Sequence, residues 1–342
     1  MIKDTSSQRK IWLGGLRALI GVGALAFLLW KIGLGETLAV LRTADLRLLG
    51  TAFGLFVISL IIRAVRWSVL LRALDLRVPF GRLVYLYFVG AFFNSFLPTG
   101  FGGDVVRALE LTQDTPTTAA VGTVLVDRMT GLLVLLALGL GALPFSAPYL
   151  APWLVWLLVG VAGGGLLAGA LMLEGRVLRR ITAWLPERFS LSGSGFLGRL
   201  YAAVTGCGWR AIVQALAISL LFNLVNILIN FLCGRAVGID LPLGYFFITA
   251  PLISISLMIP VSIGGVGVRD WTVVALFGPA GVNGNTAASM SLSMYAVSAA
   301  AGLVGGAMYA VEGLRAVQRR SGPVRAGRRG NHEDTEDTEA FL

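Results

Sequence analysis

The residues able to do chemistry in this chain are charged side chains set within long apolar runs. Arg107 follows Asp104 by three positions, Arg269 adjoins Asp270, Asp127 adjoins Arg128, and Arg63 and Arg66 stand three apart. An ionised side chain in hydrocarbon is costly and marks either a pathway or a structural pair. Arg107 and Arg269 each fall near the start of an amphipathic segment. There a guanidinium adds to the positive end of the helix dipole and favours an anion such as a lipid phosphate. The competing use is a local ion pair, with Asp104 for one and Asp270 for the other. Arg63 and Arg66 share a helix face. Snorkelling of both to the nearby head groups is the simpler expectation, and collection of an anionic head group is the sharper one. Asp127 and Arg128 diverge by ~100° on a helix and so should pair with other helices, Asp127 with Arg107. Asn223, Asn226 and Asn230 form a polar stripe at i, i+3, i+7, the pattern of helix–helix adhesion or of a head-group path.

Catalytic chemistry has little to stand on. The sole histidine, His332, lies in a polar tail, and no metal-spaced cluster or Ser/His or Cys/His arrangement is present. Neither enzyme activity, nor a metal, nor a cofactor is expected. Asp104 and Asp127 remain as candidate proton carriers. Gly265-Val266-Gly267 with Val268-Arg269 has the look of a dinucleotide loop, but no strand precedes it, so that reading fails.

The elements that must position these residues announce themselves by a repeat. Residues 98–107 read Pro-Thr-Gly-Phe-Gly-Gly-Asp-Val-Val-Arg, and residues 260–269 read Pro-Val-Ser-Ile-Gly-Gly-Val-Gly-Val-Arg. Pro98, Gly102, Gly103, Val106 and Arg107 align with Pro260, Gly264, Gly265, Val268 and Arg269. Each copy follows an apolar run and opens an amphipathic one. Pro and Gly-Gly break a helix, and the glycines supply backbone freedom and exposed N–H groups at the break. Irregular backbone at membrane depth is tolerated only where protein or a watery cavity covers it. Paired interruptions in two halves point to a transporter's binding site.

Composition sets the frame. Of 342 residues, 56% are hydrophobic and 13% charged, and the mean hydropathy of +0.81 places the chain among polytopic helical membrane proteins. The net charge of +10 sits in the gaps between apolar runs, so it reads as a topology signal and a preference for anionic head groups rather than for nucleic acid. Cys207 and Cys233 are too far apart for a CxxC motif, and no disulfide is expected. No signal peptide is expected ahead of the first apolar run.

Taken in order, the chain predicts spans at 12–32, 48–71, 117–143, 153–173, 211–234 and 286–311. Re-entrant helical hairpins are predicted at 80–113, broken at 98–103, and at 242–280. The loop at 144–152 is uncharged, 174–210 is a basic loop with short surface helices, and the charged tail from 313 is expected to be disordered. The domains are therefore a cytoplasmic N-terminus (1–11), a first membrane repeat (12–143), a second (144–312) and the tail (313–342). The offset between Pro98 and Pro260 superposes the second span on the fifth and nearly the third on the sixth. Three crossings per half is odd, which inverts the second half relative to the first. The hairpin tips would then meet near the midplane, with both termini cytoplasmic. The fold class is all-α, with about six spans and two re-entrant hairpins in inverted-topology repeat.

At these residues the sequence resembles the lysylphosphatidylglycerol synthase transmembrane family, the flippase-like domain, over about residues 10–315. The resemblance rests on Asn94, Leu97, Pro98, Gly102, Gly103, Asp104 and Arg107; on Val126-Asp127-Arg128; and on Ile259-Pro260, Ser262, Gly264-Gly265, Gly267 and Arg269-Asp270. Arg63 and Arg66-Trp67 match the family's basic end of the second span. The resemblance implies movement of a lipid across the bilayer. In bifunctional relatives a soluble C-terminal domain makes that lipid. Only about 30 residues follow the last predicted span, so the synthase activity is not carried over.

These readings together predict an inner-membrane protein that translocates an anionic or modified phospholipid, or a polyprenyl-linked phosphate. Its head-group path would be lined by Arg63, Arg66, Asn94, Asp104, Arg107, Asp127, Arg128, Asn226, Arg269 and Asp270. Anionic phospholipids are the expected partners, and homo-oligomers are compatible with the sequence. Two other classes compete. One is a non-transporting membrane partner of a lipid- or envelope-synthesising enzyme, docking through 174–210 and the tail. The other is a small-anion carrier with a closed aqueous site.

Overall fold

A computed structural model of the protein describes residues 42–96, 102–146, 152–174, 205–257 and 267–321. The predicted first span, the basic loop through residue 204, the end of the tail, and Pro98, Pro260, Gly264 and Gly265 lie outside the described residues. Within them the chain is helical, without strands: α1 (Leu46–Ala73), α2 (Phe80–Phe96), α3 (Gly102–Leu111), α4 (Thr117–Ser146), α5 (Pro152–Glu174), α6 (Gly208–Ala236), α7 (Leu243–Ser256), α8 (Val268–Phe277) and α9 (Gly284–Ser321). Five of these, α1, α4, α5, α6 and α9, are long and apolar enough to cross a membrane. A helix satisfies its own backbone polar groups, the condition hydrocarbon imposes on a spanning segment.

Local signals set the ends. Asp45 caps α1, its side chain accepting from the amides of Arg47 (2.8 Å) and Leu48 (3.3 Å). The chain turns out of α1 through Asp75 and out of α6 through Gly238, both at positive φ. Two expectations are corrected. Pro144 does not open a loop but lies inside α4, which continues to Ser146. The tail does not begin at 313, because α9 runs on to Ser321.

The repeat is visible in three dimensions. Moved by the spacing of Pro98 and Pro260, α1 falls on α6 and α2 on α7. The packing partners exchange in the same way. α2 packs on α9 as α7 packs on α4, and α3 packs on α4 as α8 packs on α9. The equivalent helices α1 and α6 run antiparallel. The Asp45 amide donates to the Ala236 carbonyl (2.9 Å) at one end, Arg66 Nη1 donates to Ser219 Oγ (2.8 Å) farther along, and Gly206 lies against Leu74 at the other end. Antiparallel pairing of equivalent helices makes the repeat an inverted one.

The start of α2 meets the end of α3, and the start of α7 meets the end of α8. Arg82, in the first turn of α2, reaches Glu110 (3.2 Å) and Asp114 (3.4 Å) at the far end of α3, and Glu312 of α9 (3.3 Å). The second pair closes on a tyrosine instead. Tyr245 at the start of α7 donates to the Leu276 carbonyl and packs edge-on against Phe277 at the end of α8. The ends that meet are those nearest the C-termini of α1 and α6, so the two helix pairs are based at opposite ends of the bundle, and their other ends share the wall of one cavity.

Candidate functional site

The facing ends of α2, α3, α7 and α8 and the middles of α1, α4 and α6 line a cavity of about 290 Å³. Its wall includes Arg63, Arg66, Arg107, Arg128 and Arg269 together with Asp104 and Asp127. A second chamber of about 160 Å³ shares Arg63, Asn94, Asp104, Arg107 and Arg269 with it, and extends toward Tyr295 and Ser298 of α9. Five guanidinium groups thus face two carboxylates.

Asp127 is the hub. One of its oxygens accepts from Arg66 Nε (2.6 Å), and the other accepts from the Tyr87 hydroxyl (2.6 Å) and faces Arg107 Nη2 at 3.5 Å. Asp104 receives Arg107 Nη2 at 2.8 Å on one oxygen and Arg128 Nη1 on the other. The Arg107 side chain is almost fully enclosed. Its guanidinium stacks 4.0 Å from the Tyr87 ring centre and 4.8 Å from Trp67, and Trp67 is itself tied to Thr123 (3.2 Å). Aromatic faces of this kind attract a cation without neutralising it.

Among the described residues, Arg63 and Arg269 make no ion pair. Arg63 lies over Tyr87 (4.8 Å) and Phe222 (5.4 Å), and Arg269 lies near Tyr295 (5.7 Å). Arg63 Nε, Arg107 Nη1 and Arg269 Nε are buried without a hydrogen-bond partner. A buried unmet donor is costly. Three of them around one polar cavity describe a site short of acceptors.

The structure corrects several expectations. Arg66 does not snorkel, for it is 2% exposed and held by Asp127 and Ser219. Gly102 and Gly103 are not in the helix break but in the first turn of α3. A Cβ on Gly103 would stand 2.0 Å from the Gly90 carbonyl oxygen, and its amide donates to Asn94 Oδ1 (2.7 Å). Gly103 therefore serves close packing of α3 on α2. Asp270 does not line the cavity. It receives the Gly267 amide (3.0 Å) at the start of α8 and the Ser291 hydroxyl of α9. The asparagine stripe divides: Asn223 donates to the Gly131 carbonyl of α4 (2.9 Å), while the side of α6 bearing Asn223 and Asn226 faces the cavity.

Four contributors escaped the sequence reading. Tyr87 shares a face of α2 with Gly90 and Asn94, at i, i+3 and i+7, a spacing that would have flagged it. Gly131 lies one turn after Asp127, and a Cβ there would stand 2.7 Å from Arg66 Nη1, so its missing side chain makes the notch that admits Arg66. Ser219 and Phe222 carry no local signal.

The fold and the cavity define a polytopic helical membrane protein with an inverted repeat and a cationic central chamber. The lysylphosphatidylglycerol synthase transmembrane region, as a family model, matches residues 15–306, and the chain belongs to that family. Two UPF0104 membrane proteins of Methanothermobacter thermautotrophicus are similar to it. One is 26% identical over 302 residues, covering 78% of this chain and 83% of the relative. The other is 27% identical over 304 residues, covering 82% and 89%. A UPF0104 membrane protein of Pyrococcus horikoshii is 24% identical over 193 residues, 55% of each chain, so the match spans about half of that relative.

Proposed function

We propose that this protein translocates an anionic lipid, with the head group passing through the cationic cavity and the acyl chains remaining in the bilayer, and that it performs no chemistry on the lipid. The observation that carries this reading is the excess of guanidinium over carboxylate, with three buried N–H donors unmet. A phosphate supplies several acceptor oxygens and forms charge-assisted, often bidentate bonds with arginine. A charged head group crossing hydrocarbon unaided meets a prohibitive desolvation cost, which a chamber reached from both ends by the two hairpins removes.

The reading extends to orientation. Arg72, Arg77, Arg82, Arg210 and Arg315 gather at the end of the bundle where Leu74 meets Gly206 and Arg82 meets Glu312. By the charge rule for loops that end is cytoplasmic, and the protein belongs in the cytoplasmic membrane with anionic phospholipids as its partners. Movement of fluorescent phosphatidylglycerol across liposomes containing the protein provides the test. Arg107→Ala/Arg269→Ala should abolish translocation while the thermal melt shows a folded protein. Unchanged translocation in that double variant would sink the proposal.

A further inference from the structure

A third depression lies on the outer surface, along the seam between α3 and α4. It has a volume of about 240 Å³ and is lined by Ala108, Val121 and Val124, with Val105, Leu109 and Leu125 exposed along it. Thr112 and Thr117 stand at its outer end. The Thr112 hydroxyl is turned back onto the Leu109 carbonyl (2.6 Å), so it offers the trough little polarity. At the inner end are Asp104 and Arg128, the same two side chains that wall the central cavity. One ion pair thus separates an apolar trough from the cationic chamber.

Two further observations favour a lipid chain as the occupant. From Asp104 to Thr112, α3 advances eight residues, about 12 Å at ~1.5 Å each, close to half of the ~30 Å hydrocarbon thickness. Along α3 the trough thus spans most of one leaflet's depth. The ion pair at its inner end is also unmatched in the other half. At the repeat offset, Asp104 and Arg128 correspond to Val266 and Met290, and Met290 is fully buried. Among the described residues the α8–α9 seam is joined instead by the Ser291–Asp270 hydrogen bond, which does not line the cavity, so an ion pair shared with the cavity is found at the α3–α4 seam alone.

Resting on the head-group reading above, we infer that the seam between α3 and α4 is the lateral portal of this protein. It seats an acyl chain of a bilayer phospholipid while the head group occupies the cavity, and the Asp104–Arg128 pair is the latch between them. A phosphate arriving at the seam exchanges with Asp104 as the partner of Arg128, so the cation keeps an anion throughout the opening.

The test uses the full-length protein in vesicles containing phosphatidylglycerol with a diazirine midway along one acyl chain. After photolysis, adducts are mapped by peptide mass spectrometry. Residues 105–125 should take up ~10-fold more label per exposed side chain than the α5 face around Trp156 and Leu167, a ratio equal to about 1.4 kcal/mol of residence. Val121→Phe, which fills the trough, should remove that excess and slow translocation. If Val121→Phe melts early, Leu109→Trp on the exposed rim serves in its place. Uniform labelling of all outward faces overturns the portal. So does absence of label at 105–125, which would mean that residues 12–32 or a second copy cover the seam.

The same chain on phosphatidylcholine separates the two readings. An equal excess with both lipids keeps the chain seat and refutes an anion-selective cavity. Loss of translocation in Arg107→Ala/Arg269→Ala with no excess at the seam refutes the portal and leaves the cavity standing.

Discussion

Asp127 shows how much of this site is held by one carboxylate. It meets Arg66 and Arg107 from two different helices and the Tyr87 hydroxyl from a third, all in the buried interior. Removing one member of a buried pair strands the others, whereas removing both partners together costs far less. Asp127→Ala should therefore lower stability by about 3–5 kcal/mol. Asp127→Leu combined with Arg66→Met should recover most of that loss, as read from thermal melts of the purified protein. Additive losses in the double variant would mean that the pair is not a unit. The same logic distinguishes the cations. Arg66 is committed to structure, while Arg63 and Arg269 have buried donors left over. Arg269→Gln should accordingly weaken phosphatidylglycerol movement with little change in melting temperature. A large drop in melting temperature with translocation intact would reassign Arg269 to the scaffold.

At the scale of elements, the first hairpin is gripped where side chains are absent. A Cβ on Gly103 would stand 2.0 Å from the Gly90 carbonyl oxygen, and one on Gly305 of α9 would stand 2.0 Å from that of Phe88. Backbone cannot yield as a flexible side chain does. Gly103→Ala and Gly305→Ala should each destabilise by about 1–3 kcal/mol, the range for overpacking. Gly90→Ala, whose Cβ meets the Arg107 side chain at 3.1 Å and the Gly103 carbonyl oxygen at 3.3 Å, milder approaches than those at Gly103 and Gly305, should cost less. Equal melts for the three variants would contradict this grip. The base of the same hairpin is held differently, by Arg82 among three carboxylates that are partly exposed. Such pairs contribute about 0–1 kcal/mol each. Arg82→Gln should leave the melt nearly unchanged while raising hydrogen exchange at 80–84 and 110–114. Unchanged exchange there would show that the base is set by packing alone.

For the whole molecule, the inverted repeat makes a prediction about sidedness. Gln113 lies at the end where the first hairpin returns, and Asn283 at the end where the second does, and both are exposed. With Cys207 and Cys233 replaced, Gln113→Cys and Asn283→Cys should react with a membrane-impermeant maleimide from opposite faces of oriented vesicles. Labelling of both from one face would end the inverted arrangement. The symmetry is one of scaffold and not of charge. Arg63, Arg66, Asp104, Asp127 and Arg128 have no charged equivalents at the repeat offset; among the cavity's ionic groups only Arg107 and Arg269 match. An inverted frame with a one-sided lining presents the two membrane faces with different chemistry.

What the sequence determined by itself is what one-dimensional physics controls. A spanning helix must be an apolar run of a given length, so α1 and α6, expected at 48–71 and 211–234, appear at Leu46–Ala73 and Gly208–Ala236. Proline and glycine recur at one spacing in both halves, so the repeat, its offset and the inversion were legible in the sequence. The pairing of Asp127 with Arg107 followed from two costly charges needing each other. Tertiary structure alone decided which cations were spent. Whether Arg66 reaches head groups or a buried carboxylate depends on Gly131 opening a notch and on Asp127 standing one turn before it, on a helix some sixty residues away. Whether Gly103 frees the backbone or presses α3 onto α2 depends on Gly90. These outcomes are set by distances between segments remote in the chain, and hydropathy and local spacing carry no record of such distances.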